Sequence, residues 1–176
     1  MNWLQEAFLE PTMVQAVIII SLVSALGLYL GRIKIFGISL GITFVFFAGI
    51  FAGHLGIVVN KDMLYFAQSF GLILFVYALG LQVGPGFFSS LKKGGVAMNM
   101  MGLGVILLGL IMTVSLHWVT GVSLSNMVGL LCGAVTNTPA LGAAQQALLQ
   151  IDPANTKGVT DMALACAVAY PLGVVG

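Results

Sequence analysis

The chain has 176 residues, of which only six are Lys or Arg and five are Asp or Glu, or 6% charged, against roughly 25% in an ordinary soluble domain. Sixty per cent of the residues are apolar and 23 are Gly, so there is too little polar surface for a soluble fold and too little charge for a disordered one. A net charge of +1 without a basic run excludes nucleic acid as a partner, which leaves an all-α integral membrane protein whose solvent is the lipid bilayer.

The first eleven residues carry Glu6 and Glu10 and no Lys or Arg, so they do not form the positive leader of a signal peptide. Thr12 to Leu30 is the first apolar run and reads as a permanent membrane helix, closed by Arg32 and Lys34. Ile38 to Val59 is the second, closed by Lys61 and Asp62. Leu64 to Val83 is the third, followed by Gly84-Pro85-Gly86, which must turn sharply as a hinge or a tight loop, and then by Lys92 and Lys93. Val96 to Val119 is the fourth, with Trp118 at its interfacial end. Residues 124–149 are apolar but interrupted, and Val159 to Gly176 is the last run. A span needs about 20 apolar residues, so about five transmembrane helices plus one re-entrant or broken helix are expected, in a single membrane domain over 1–176.

Positive residues gather on the cytoplasmic side of a membrane protein. Arg32, Lys34, Lys92 and Lys93 fall in the first and third links, and only Lys61 falls in the second. This places the N-terminus outside. Gly27/Gly31, Gly37/Gly41, Gly49/Gly53, Gly80/Gly84 and Gly129/Gly133 are each four residues apart, a spacing that lets helix backbones approach closely in lipid. Cys132 and Cys166 lie inside apolar runs and read as small buried hydrophobes.

The interrupted segment carries the chemistry. Two apolar halves flank Thr136, Asn137, Thr138 and Pro139. Each half reaches about 15–20 Å as helix, short of a crossing. Pro139 suits the first turn of a second half-helix that Thr138 caps. Irregular backbone at membrane depth survives only inside protein or beside a wet cavity, and half-helix N-termini in secondary transporters face anionic groups. These four residues are therefore candidate substrate ligands. Gln145 and Gln146, two turns on, either line the same cavity or mark the approach to the surface. Asp161 opens the last segment, as a cap or as an ion-coupling carboxylate. Tyr170-Pro171 breaks that helix and offers a second discontinuity with a hydrogen-bonding phenol. Tyr77 is a further polar position in the third helix. His54 and His117 sit near helix ends and are assigned to no metal, and no cofactor is implied.

Gly71–Phe88, Gly133–Leu148 and Met162–Gly176, with Arg32–Gly41, together resemble the aspartate:alanine exchanger family of bacterial secondary transporters, and the block from Thr136 to Ala140 in its glycine-rich setting is the strongest match. The resemblance implies an antiporter of the bacterial inner membrane that exchanges small carboxylates or amino acids such as aspartate and alanine by alternating access, with a periplasmic N-terminus. It also implies that this unit is the N-terminal half of an inverted repeat, completed by a second repeat unit in cis or as a homodimer, and truncated within its last helix at Gly176. An odd number of crossings then favours a re-entrant hairpin at 124–149 over a broken helix that crosses. A channel-like pore and a non-transporting assembly protein are the alternatives. An enzyme is not expected, because no Ser–His, paired-Asp or His-ligand arrangement lies within the membrane segments.

Overall fold

The structure, a computed structural model, describes residues 11–34, 41–90 and 95–175. Glu6, Glu10, Gly37, Lys92, Lys93 and Gly176 lie outside the described residues. Among the described residues there are seven α-helices and one turn of 3₁₀ helix: α1 (Met13–Leu30), the 3₁₀ turn (Gly41–Thr43), α2 (Phe44–His54), α3 (Lys61–Ser90), α4 (Val96–Thr120), α5 (Leu124–Ala134), α6 (Thr138–Ile151) and α7 (Thr156–Val175). Four of them, α1, α3, α4 and α7, are long and apolar enough to cross a membrane. The chain divides into two compact units, residues 1–70 and 71–176.

In the first unit the Thr12 hydroxyl accepts the Gln15 N–H at 3.1 Å and starts α1. The side chain of Gln15, only 2% exposed, donates from Nε2 to the Val58 carbonyl at 2.9 Å. Asn60 donates to the Pro11 carbonyl at 3.4 Å, and its Oδ1 caps α3 by accepting the Met63 N–H at 3.0 Å. Gly27 and Gly31 make the closest approach to the α2 strip: a Cβ at Gly27 would lie 2.5 Å from the Val45 Cα, and one at Gly31 would strike the Gly41 carbonyl. The expected span Ile38–Val59 is met only in part. Its helix is the 11-residue α2, about 16 Å long. Gly56, at φ +79, ends it: the Ile57 N–H returns to the Ala52 carbonyl at 3.2 Å and the Gly56 N–H to Gly53 at 3.0 Å.

In the second unit α5 and α7 pack backbone to backbone at their glycines. A Cβ at Gly129 would strike the Met162 carbonyl, and one at Gly133 would lie 2.5 Å from the Cys166 carbonyl and 2.8 Å from the Ala169 Cβ. Gly173 in turn meets the Ala134 carbonyl. Both partners climb together from 129/162 to 133/166 and 134/173, so the two helices run parallel. Met127, Cys132, Met162, Cys166 and Ala169 are buried there.

Two of the expected breaks and one expected cap differ. The chain does not turn at Gly84-Pro85-Gly86, because α3 runs through to Ser90 with Pro85 inside it. It does not break at Tyr170-Pro171 either, because α7 continues to Val175. A proline removes one hydrogen bond from a helix, whereas a loop at membrane depth strands several polar groups, so the helix persists. Asp161 is not a cap: α7 begins at Thr156, and the Asn155 Oδ1 accepts the Gly158 N–H at 2.9 Å in that role.

Among the glycine pairs, Gly27/Gly31 and Gly129/Gly133 serve close approach. Gly49/Gly53 and Gly80/Gly84 face open space among the described residues.

Candidate functional site

The break between α5 and α6 is three residues long and is held by its own hydrogen bonds. The Val135 N–H donates to the Leu131 carbonyl at 3.0 Å, the Thr136 N–H to Gly133 at 3.0 Å, and the Asn137 N–H to Cys132 at 2.8 Å. The last two bonds form a Schellman ending, whose left-handed position normally falls to Gly. Here Thr136 takes it at φ +53 and is the one non-glycine residue with positive φ among the described residues. A β-branched residue in that region costs of order 1–3 kcal/mol.

Asn137 follows at once as the N-cap of α6, its Oδ1 accepting the Ala140 N–H at 3.0 Å. The cap is therefore one residue earlier than the expected Thr138, which forms the first helical position with Pro139 second. A carboxamide reaches the third N–H of a helix as well as a hydroxyl does. The consequence is a particular electrostatic balance. Leu131, Cys132 and Gly133 have their carbonyls engaged, and the Ala134 carbonyl abuts Gly173, so the negative end of α5 is largely spent. At the positive end of α6, Pro139 has no N–H and Ala140 is capped, which leaves the Thr138 N–H. With Oδ1 committed to Ala140, the Asn137 Nδ2 has no acceptor among the described residues. Thr136 and Thr138 add hydroxyls. Thr136 and Asn137 are exposed, and Thr138 and Pro139 are half-buried.

The outer ends of the segment converge. A Cβ at Gly158, near the start of α7, would lie 2.9 Å from Leu148 Cδ2, late in α6, and 3.1 Å from Ser125 Oγ, at the start of α5. The chain thus runs up α5 beside α7, turns at residues 135–137 and returns down α6. The Gln145 Nε2 donates to the Val159 carbonyl at 2.9 Å, tying α6 to the beginning of α7. Gln145 is therefore a fastening at the base, eight residues or about 12 Å along α6 from Asn137. Gln146, half-buried on the same stretch of helix, is likewise away from the tip.

Tyr170 is brought close. It is buried at 5% exposure, and its backbone N lies 3.0 Å from where a Cβ at Gly133 would stand. Pro171 follows it in α7, exposed. Tyr77 is 63% exposed on α3, a helix with no buried residue. Asp161 lies nine to twelve residues before Tyr170 and Gly173, roughly 14–18 Å down α7 from the tip. It borders a groove of about 340 Å³ together with Asn126 of α5, a residue that no sequence pattern had singled out. His117, at the end of α4, donates from Nδ1 to the Val122 carbonyl at 2.6 Å and so steadies the α4–α5 turn.

No solved structure matches this chain. An uncharacterized transporter of Bacteroides thetaiotaomicron is 60% identical over 176 residues, all of this chain and 31% of the relative. One from Porphyromonas gingivalis is 60% identical over 174 residues, covering 99% of this chain and 31% of the relative. One from Bacteroides fragilis is 55% identical over 164 residues, covering 92% and 28%. The chain thus spans about a third of the length of the curated relatives it matches. A family model described as "Predicted Permease Membrane Region", that of the aspartate:alanine exchangers, matches residues 19–176. With its helical architecture and the near-complete coverage of that match, the chain belongs to the aspartate:alanine exchanger family of permease membrane regions.

Proposed function

We propose that this chain is part of a secondary transporter of the bacterial inner membrane that exchanges small carboxylates or amino acids such as aspartate and alanine, and that the tip formed by Thr136, Asn137, Thr138 and Pro139 receives the carboxylate. Relatives named as transporters and the family description support the general reading. The observation that carries the site is the set of donors left free at the tip: the Thr138 N–H at the start of α6, an Asn137 Nδ2 with no acceptor among the described residues, and the hydroxyls of Thr136 and Thr138. Such a set favours an anion without any Lys or Arg.

In this reading 124–149 is a re-entrant hairpin, supported by the meeting of its two outer ends at Gly158. The N-terminus is periplasmic. The tip is covered by a second repeat unit, supplied in cis or by a second chain, because exposed backbone at membrane depth needs protein or water around it. Tyr170 and Pro171 form the wall beside the tip. Tyr77, Gln145 and Gln146 act at a distance from the bound carboxylate. Gly84, Pro85 and Gly86 are the weak point of α3 about which it bends during alternating access. Asp161, too far from the tip to touch the same carboxylate, faces a cation of its own.

The decisive variant is Asn137→Asp in the full-length protein. Aspartate caps a helix as well as asparagine does, but replaces a free donor with a negative acceptor. Uptake of labelled aspartate into proteoliposomes preloaded with unlabelled aspartate should be lost while the protein still folds and inserts. Unchanged counterflow would remove the tip from the binding site. Uptake that preloading does not accelerate would favour a pore over an exchanger.

A further inference from the structure

The groove between α5 and α7 lies outside the tip. Its polar side chains are Asp161 and Asn126, and Leu130, Leu164, Ala165 and Val168 make an aliphatic wall beside them. Asp161 is half-buried, and its carboxylate has neither a hydrogen-bond nor an ion-pair partner among the described residues. Lys157, one turn earlier on α7, is exposed and makes no ion pair with it there. Asp161 is five residues, about 8 Å, inside a 20-residue helix able to cross a membrane. A bare carboxylate at that depth is costly and calls for a cation.

The groove's chemistry selects which cation. A hard metal ion asks for six or more oxygen ligands, and the groove offers two carboxylate oxygens and one amide oxygen. A proton alone needs neither the amide nor the wall. An ammonium group uses all three features: its charge pairs with Asp161, a second N–H reaches the Asn126 Oδ1, and its hydrocarbon lies along Leu130, Leu164 and Val168. We propose that this groove binds a primary ammonium group with an attached hydrocarbon chain, with Asp161 as counter-ion and Asn126 as second acceptor. A soluble alkylamine and an aminophospholipid present the same chemistry there.

The test uses the full-length protein in phosphatidylcholine nanodiscs, with n-butylammonium and n-hexylammonium as probes and thermal unfolding as the readout. Both probes should stabilise the protein, with hexyl binding about tenfold more tightly than butyl because two more methylenes are buried. Hexyltrimethylammonium, which has no N–H to donate, should bind at least tenfold more weakly than hexylammonium. Asp161→Asn should abolish the response, and Asn126→Leu, which keeps the charge, should weaken it about tenfold. Nanodiscs containing phosphatidylethanolamine separate the sources: stabilisation by the lipid with a blunted hexylammonium response identifies a headgroup, and an undiminished response identifies a soluble amine. An equal response in wild type and Asp161→Asn, or equal binding of the trimethyl probe, overturns the proposal.

Discussion

Thr136 and Gly56 hold the same position in two helix endings: each is the left-handed residue that closes a Schellman turn, at φ +53 and φ +79. Glycine reaches that region freely, and threonine does not. Where α2 ends the fold uses the cheap residue, and at the tip of 124–149 it keeps the strained one with a hydroxyl.

Relief of that strain is measurable. Thr136→Gly should raise the unfolding free energy by about 1 kcal/mol, less than the full strain because glycine also loosens the unfolded chain. The same variant should lower exchange, since the hydroxyl goes with the side chain. Thermal unfolding in detergent and proteoliposome counterflow, run on one preparation, check both halves.

Capping and ligand binding separate at Asn137. Asn137→Ala removes the acceptor for the Ala140 N–H and should cost about 1 kcal/mol. Asn137→Asp should cost little, because the cap survives. Chemical unfolding of the two variants side by side distinguishes them, and a loss in Asn137→Asp as large as that in Asn137→Ala would show that the cap is not what the amide supplies.

The α5–α7 contact leaves no room for a methyl group. Gly129→Ala would drive its Cβ into the Met162 carbonyl, and Gly133→Ala would meet Cys166 and Ala169. Each should cost about 1–3 kcal/mol, as overpacking does, and lower the unfolding temperature. Gly49→Ala and Gly80→Ala, at the same four-residue spacing but facing open space among the described residues, should leave it within the scatter of surface substitutions.

At the base, Gln145→Leu removes the bond from Nε2 to the Val159 carbonyl. A loss of about 1 kcal/mol is expected, together with faster amide exchange in α6. If Gln145 instead touched the substrate, the variant would change affinity without changing exchange protection.

How much of this was legible beforehand depended on contrast. The polar run from Thr136 to Pro139 stands out because everything around it is apolar, and the structure breaks there. Pro85 and Pro171 gave the same local signal, yet their helices continue, because losing one backbone bond is cheaper than exposing a turn. The short α2 was hidden for the opposite reason: residues 38–59 carry no charge and no proline, and Gly56 ends the helix. Four-residue glycine spacing identified possible contacts, but which pairs met another backbone depended on helix orientation, which no single segment encodes. Asn126 escaped notice because its significance lies in facing Asp161, 35 positions away in the chain.

The parallel fit of α5 against α7 also sets an order of events during synthesis. α5 and its polar tip leave the ribosome first, yet the surface that matches Gly129 and Gly133 is on a helix that begins only at Thr156. Until that helix emerges, the tip has no cover from its own neighbourhood and must be sheltered by the insertion machinery. A nascent chain arrested before Thr156 has left the ribosome should therefore leave Cys132 open to thiol reagents small enough to enter that shelter, and emergence of Thr156–Val175 should bury it.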